Sequence, residues 1–268
     1  FGHPPFQLPR SETAAVDRTL THEPSWLRRA NRSFWEWLRF ALPIIPMLGM
    51  VAWTSGVAAA SGTMPLPALL LAAIPAISLV CAGLLCGFVL GLKWTLLGRV
   101  RPGIHPLWSC WCSRWDFLYV AWGIIASPVL SALEGTLLLP LYLRRMGMRI
   151  GKRVVLGGGF TQVVDPDMID IGDGATVNAM FQAHTFEDRV LKIDHIRVGN
   201  HATLADATVP LYGADIGAHA SVAPHSVIMK REHLRPGRRY EGAPTRVRDS
   251  EAAAGVPTTP HPVAPQWY

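Results

Sequence analysis

His184 is the residue whose type and place most favour chemistry. It stands in Gln182-Ala183-His184-Thr185-Phe186-Glu187-Asp188-Arg189, at the root of an excursion of about nine residues that interrupts a regular spacing of aliphatic residues, resumed at Val198. Imidazole titrates near neutral pH and can take a proton from an attacking amine or hydroxyl, as acyl transfer from a thioester requires. Glu187 or Asp188, close by in sequence, is expected to orient the ring and stabilise the imidazolium, so His184, Glu187 and Asp188 form the candidate catalytic set. Backbone N–H groups around residues 157–159 are candidates for meeting the developing oxyanion. Asp165, with Asp167 beyond Pro166, could bind a substrate amine, although this Asp-Pro-Asp pattern equally suits a turn. Arg189 and Lys192 could meet the phosphates of a pantetheine-type donor, or simply be solvated.

The remaining chemistry-bearing residues read as structural. His195 has no such position, and His201, His219 and His225 each fall three residues after an inward-pointing position. His201 and His219 are 18 apart and are expected to stack on one corner as turn residues. Of the cysteines, Cys81 and Cys86 lie in an apolar run and Cys110 and Cys112 form a lone CxC, neither with zinc spacing. No metal or resident cofactor is expected, and nothing points to an oxidising compartment.

The scaffold that must position His184 announces itself as a period. Val198, Leu204, Pro210, Ile216, Val222 and Ile228 recur every six residues, and the pattern appears earlier at Ile150, Leu156, Ile171, Val177 and Ala183. Six matches neither an amphipathic helix nor a hairpin meander. It fits a triangular coil with one hexapeptide per side, 18 residues per coil, stacked at roughly 4.8 Å. Gly151, Gly172, Gly199 and Gly217 each follow an inward residue, where the backbone must bend. Residues 150–245 are therefore expected to form an all-β left-handed parallel β-helix of about four coils, too slim a core to stand well alone.

The preceding half has a different character. The chain of 268 residues is 50% hydrophobic and 16% charged, with mean hydropathy +0.23, and the excess apolar residues precede residue 145. Residues 38–60 and 65–92 are long enough to cross a bilayer and carry no charge beyond Arg39. Their link at residues 61–64 is uncharged, while basic residues crowd both outer ends; the positive-inside rule makes this a hairpin with both ends cytoplasmic. A third apolar stretch, 117–143, has basic flanks on both sides and is read as helices in the membrane interface, anchored by Trp108, Trp111, Trp115, Tyr119 and Trp122. The organisation expected is an N-terminal extension and amphipathic lead-in (1–37), a two-span transmembrane α-helical hairpin (38–92), interfacial or membrane-embedded helices (93–149), the β-helix (150–245) and a C-terminal tail (246–268). This places a multi-pass protein in the cytoplasmic membrane with its β-helix on the cytoplasmic side. The net charge of +6 flanks the apolar stretches rather than interleaving with aromatic residues as in nucleic-acid binding, so a membrane and not a nucleic acid is the partner. Residues 1–24 lack the apolar core of a signal peptide, and the chain opens with Phe-Gly-His, as a piece of something longer would.

Several stretches together resemble one family. LYLRRMGMRIGKRVVL, VVDPDMIDIGDGATVN, AHTFEDRVLK, IRVGNHATL, SVIMKRE and YEGAPTRV are similar to the C-terminal membrane region of poly-ε-lysine-synthetase-type nonribosomal peptide synthetases, over most of residues 85–248. The resemblance implies a module that forms amide bonds from carrier-bound aminoacyl thioesters, with His184 of HTFEDR as base. It also implies partners: adenylation and carrier domains in the same or another chain, and self-association or pairing with a second β-helix part. These residues contain no adenylation domain and no phosphopantetheine-bearing serine motif, so either a C-terminal fragment or a stand-alone relative is expected. The leading reading is a membrane-bound acyl- or aminoacyltransferase with its thioester donor on phosphopantetheine or CoA. A CoA-dependent O- or N-acetyltransferase and a non-catalytic membrane-anchoring assembly element are the alternatives.

Overall fold

A computed structural model describes residues 16–163 and 165–248. The start of the N-terminal extension and most of the C-terminal tail lie outside the described residues.

The apolar half is helical. After the short helix α1 (Arg18–Thr21), α2 (Trp26–Leu38) is the amphipathic lead-in. Its inner side meets the protein, Arg32 bonding Asp116 at 2.9 Å, while Trp26, Leu27, Phe34 and Trp37 stand exposed. Beyond a 3₁₀ turn, α3 (Ile44–Ser61) continues the same rod, and α4 (Leu66–Ala68) runs through a π turn into α5 (Ile74–Leu96). Two largely helical segments, Arg18–Ser61 and Leu66–Leu96, are long and apolar enough to cross a membrane, and their most apolar windows are only 6% buried within the chain. Trp53 on α3 donates its indole N–H to Ser78 Oγ on α5 at 2.9 Å, pairing the two rods.

Helices α6 (Cys110–Ala121), α7 (Ser127–Ser131) and α8 (Leu138–Met146) follow. Ser109 starts α6 by accepting from the Cys112 N–H at 3.1 Å, and Gly147, at φ 115°, ends α8 in the left-handed conformation. The aromatic residues expected to anchor this segment at an interface are mostly used within the protein. Trp115 and Trp122 are 7% and 3% exposed and belong to one continuous core with Phe160, Val163 and Met168 of the β half. Trp122 donates to the Thr161 carbonyl, Trp108 to the Thr21 carbonyl, and Trp111 stacks on His105; Tyr119 alone of the five is substantially exposed to the outside. Buried indole N–H donors here find protein acceptors, as buried Trp usually does.

The β half is the hexapeptide solenoid. One face stacks β2 (Arg149–Ile150), β4 (Ile169–Ile171), β8 (Ile196–Val198), β10 (Asp215–Ile216) and β13 (His233–Leu234), all parallel. The second face stacks β3 (Val155–Leu156), β5 (Thr176–Ala179), β9 (Thr203–Pro210), β11 (Ser221–Val222) and β14 (Arg239–Glu241), and β15 (Arg246–Val247) folds back antiparallel on β14. On the third face, β12 (Val227–Ile228) pairs with the end of β9. Five rungs stand where about four were expected, because the register continues past Ile228 to Leu234 and Tyr240.

Register shows how the coils are spaced. Ile150 lies opposite Ile171, Ile171 opposite Val198, Val198 opposite Ile216 and Ile216 opposite Leu234, so successive coils are 21, 27, 18 and 18 residues apart. The two later coils have the ideal length; the first carries three extra residues and the second nine, as the sequence break indicates. The glycines after inward positions are required by the neighbouring coil rather than by positive φ. A Cβ on Gly199 would lie 2.5 Å from the Ala218 backbone nitrogen, and one on Gly217 2.5 Å from that of Pro236.

Candidate functional site

Corners of the solenoid turn through left-handed residues at six-residue steps: Arg153, Gly159 and Asp165 in the first coil, His201, Ala207 and Gly213 in the third, His219, His225 and Arg231 in the fourth. Asp165, at φ 56°, thus occupies the corner that Gly213 and Arg231 take higher up. The three extra residues of the first coil follow it directly, as the 3₁₀ turn Pro166–Met168. His201 and His219 stack with ring centroids 5.0 Å apart, as expected for turn residues of one corner.

In the second coil this same corner is replaced by a β-hairpin. Before it Gln182 still bridges to Leu211 of the third coil, and after it the His195 carbonyl accepts from the Gly213 N–H of that same coil. Between them β6 (His184–Glu187) pairs antiparallel with β7 (Val190–Ile193) around Asp188 and Arg189, both with positive φ as a type I′ turn requires. A third strand, β1 (Gly103–Pro106), comes from the helical half and pairs with the outer side of β7. The excursion is therefore ordered sheet rather than loose loop.

Because the hairpin and Asp165 issue from the same corner of successive coils, His184 meets Asp165. Nδ1 of His184 lies 3.1 Å from Asp165 Oδ2; the carboxylate is 1% exposed and the imidazole 21%. The two are in contact without the alignment of a full hydrogen bond. The other oxygen, Oδ1, accepts the Trp115 indole N–H at 2.7 Å. Trp115 also packs edge-on against His184, with centroids 5.0 Å apart, and against Phe186. His184 opens on a cavity of about 480 Å³ lined also by Tyr119, Gly159, Gln162, Gln182 and Thr185, with Met180, Phe181 and Phe186 as its apolar part.

Four sequence expectations change. Glu187 does not orient His184: three residues apart on one strand, their side chains leave opposite faces. Glu187 instead bonds Lys192, at 3.1 Å, and Lys230. Asp188 lies in the hairpin turn, beyond the strand that carries His184, with a left-handed backbone that Asp tolerates. Asp165, expected to bind a substrate amine, is buried against His184 and Trp115 and fills the place foreseen for Glu187 or Asp188. Lys192, expected at a donor phosphate, is 4% exposed and committed to Glu187, whereas Arg189 remains exposed at the turn. Of the glycines proposed for the oxyanion, Gly159 lines the cavity, while Gly157 packs on Asn178.

Sequence reasoning missed Trp115 and His105. His105 on β1 shares a sheet face with His184, stacks on Trp111 at 3.7 Å, and has its pKa lowered by burial, which the negative charge of Asp165 partly opposes. Among the described residues no group of three or more His, Cys, Asp or Glu is placed to hold a metal ion.

The coil register and its interrupted corner define a hexapeptide-repeat β-solenoid joined to a pair of long apolar helices. In a match of 253 positions that covers 91% of the chain, it is 32% identical to Delta-poly-L-ornithine synthetase of Acinetobacter baumannii (strain AB307-0294), and it spans 18% of that protein. The resemblance to polyamino-acid synthetases read from the sequence is thus matched by a relative of that kind, of which this chain corresponds to one part. No family model matches. Among solved structures, soybean serine acetyltransferase is 17% identical, with 74% of this chain and 68% of that one covered at a TM-score of 0.35. Brucella abortus serine acetyltransferase in complex with coenzyme A is 13% identical, with 84% and 82% covered at 0.34. The hexapeptide-repeat-containing acetyltransferase from Vibrio cholerae is 14% identical, with 63% and 91% covered at 0.33. The fold assignment rests on the coil register itself.

Proposed function

We propose that the protein is a membrane-bound acyl- or aminoacyltransferase module that forms an amide or ester bond from a thioester donor, with His184 as general base. The observation that carries this reading is the contact of His184 Nδ1 with a buried carboxylate at the wall of a cavity. With Nδ1 held by Asp165, Nε2 is the ring nitrogen left to a substrate. It takes the proton as the amine or hydroxyl attacks the thioester carbonyl; Asp165 stabilises the imidazolium; the C–S bond then breaks and the proton passes to the leaving thiolate. The 32% identical synthetase supports an aminoacyl donor on a carrier domain, in the same or another chain. The exposed apolar rods and their basic flanks support insertion in the cytoplasmic membrane with both ends of the hairpin, and hence the solenoid, on the side where such thioesters occur.

The test is product formation by the purified membrane protein from a panel of CoA and carrier-bound aminoacyl thioesters with an amine acceptor, against His184→Ala. Loss of a general base lowers the rate by about 10²–10⁴. Equal turnover in both proteins removes His184 from the mechanism. A preference for acetyl-CoA without carrier selects the CoA-dependent acetyltransferase instead, and no turnover with any donor selects the assembly element.

A further inference from the structure

Two carboxylates flank Pro166 and take different partners. Asp165 meets His184 and Trp115; Asp167 forms an ion pair with Lys93 at 2.9 Å, both side chains 1% exposed. Lys93 lies in the last turn of α5, the rod that pairs with α3 and is otherwise uncharged over Leu66–Leu96.

Asp167 is gripped from three elements. Besides Lys93, its Oδ2 accepts the Val100 N–H at 3.2 Å, from the loop after α5. Its Oδ1 lies where a Cβ on Gly147, the glycine ending α8, would come within 2.1 Å, so only glycine lets the helix end approach. The grip is transmitted over a short, stiff path: Pro166 fixes its own φ, and the Met168 N–H bonds the Asp165 carbonyl at 2.9 Å, closing the turn. A cavity of about 30 Å³ between the rod and the solenoid is lined by Lys93, Val100, Trp115, Asp165 and Asp167 together, so the two carboxylates and the lysine border one small space. A buried pair of this kind is seldom a source of net stability, since apolar residues of like volume serve as well, and its use lies elsewhere.

We propose that Lys93 is a positioning residue for the His184–Asp165 pair: through Asp167 it sets the Asp165-Pro166-Asp167 turn, making the geometry of the site depend on the seating of the long apolar helix that carries it. The catalytic consequence rests on the reading of His184 as base; the geometric one does not. Lys93→Met alone leaves a buried carboxylate without its cation, so the informative variant is Lys93→Met/Asp167→Leu in the full chain, with the swap Lys93→Asp/Asp167→Lys as control.

The direct readout is the Trp115 indole N–H, observed by ¹H–¹⁵N NMR and assigned with Trp115→Phe, because it reports where the Asp165 carboxylate sits. The double apolar variant should stay folded with a lowered thermal midpoint, because the Val100 N–H loses its acceptor; it should shift the Trp115 indole signal towards that of a free indole, and lose about 10²-fold in kcat with KM unchanged, the cost of a small misplacement. The swap should keep the signal closer to wild type. An unshifted Trp115 signal in the folded double variant overturns the proposal and leaves Lys93–Asp167 as packing. A shifted signal with unaltered turnover upholds the positioning and rejects His184–Asp165 as the catalytic pair.

Discussion

His184 and Asp165 are 19 residues apart in sequence yet leave the solenoid at the same corner of adjacent coils, which brings Nδ1 to 3.1 Å from the carboxylate. Stacking, rather than local sequence, creates the pair, and it gives the carboxylate roles that can be separated experimentally.

Asp165→Asn should lower kcat by about 10²–10⁴ in the thioester assay, since an amide cannot stabilise the imidazolium. Asparagine tolerates the φ of 56° at this corner, so circular dichroism and thermal midpoint should stay close to wild type.

Glu187→Gln should behave in the opposite way. Its carboxylate is on the other face from His184 and serves Lys192 and Lys230. Weakening the acceptor of a buried ammonium costs about 1–3 kcal/mol, so thermal denaturation should show the loss while kcat at 25 °C stays within a factor of about three.

His105 should make stability depend on pH. Its folded pKa lies below the ordinary 6.5 because burial disfavours the imidazolium. The unfolded chain therefore binds the proton first, and stability, complete above pH 6.5, is lost as pH falls from there through the folded pKa. Thermal midpoints measured between pH 8 and pH 5 should fall more steeply for the wild type than for His105→Phe; parallel curves would assign the pH dependence to other groups.

How much of this was legible in the sequence follows from the range over which each signal acts. The six-residue period and the nine-residue break are local, and they located the solenoid and His184 together. The carboxylates nearest His184 in sequence are Glu187 and Asp188, whereas strand alternation turns Glu187 away and coil stacking brings Asp165 in. One signal was available: Asp165 continues the corner phase of Arg153 and Gly159, the same phase as Gly213 and Arg231, directly below the break. Trp115 was beyond reach because its helix must dock on the first coil, and an aromatic residue in an apolar, basic-flanked stretch reads equally as a lipid anchor or as core.

Gly199→Ala tests the reason for the repeat glycines. Its added methyl would meet the backbone of the next coil at 2.5 Å, where no side-chain rotation relieves it. The overpacking should cost about 1–3 kcal/mol, whereas Ala at Gly158, with open space around its Cβ position, should leave the thermal midpoint unchanged.

The pairing of β1 with β7 bears on any attempt to simplify the protein. Residues 103–106, supplied by the helical half, occupy the hydrogen-bonding rim of Val190–Ile193. A piece cut to begin at Arg149 would bare that rim along an apolar strand, a template on which other chains can add. Such fragments should gather into soluble clusters or precipitate even where each solenoid is correctly wound.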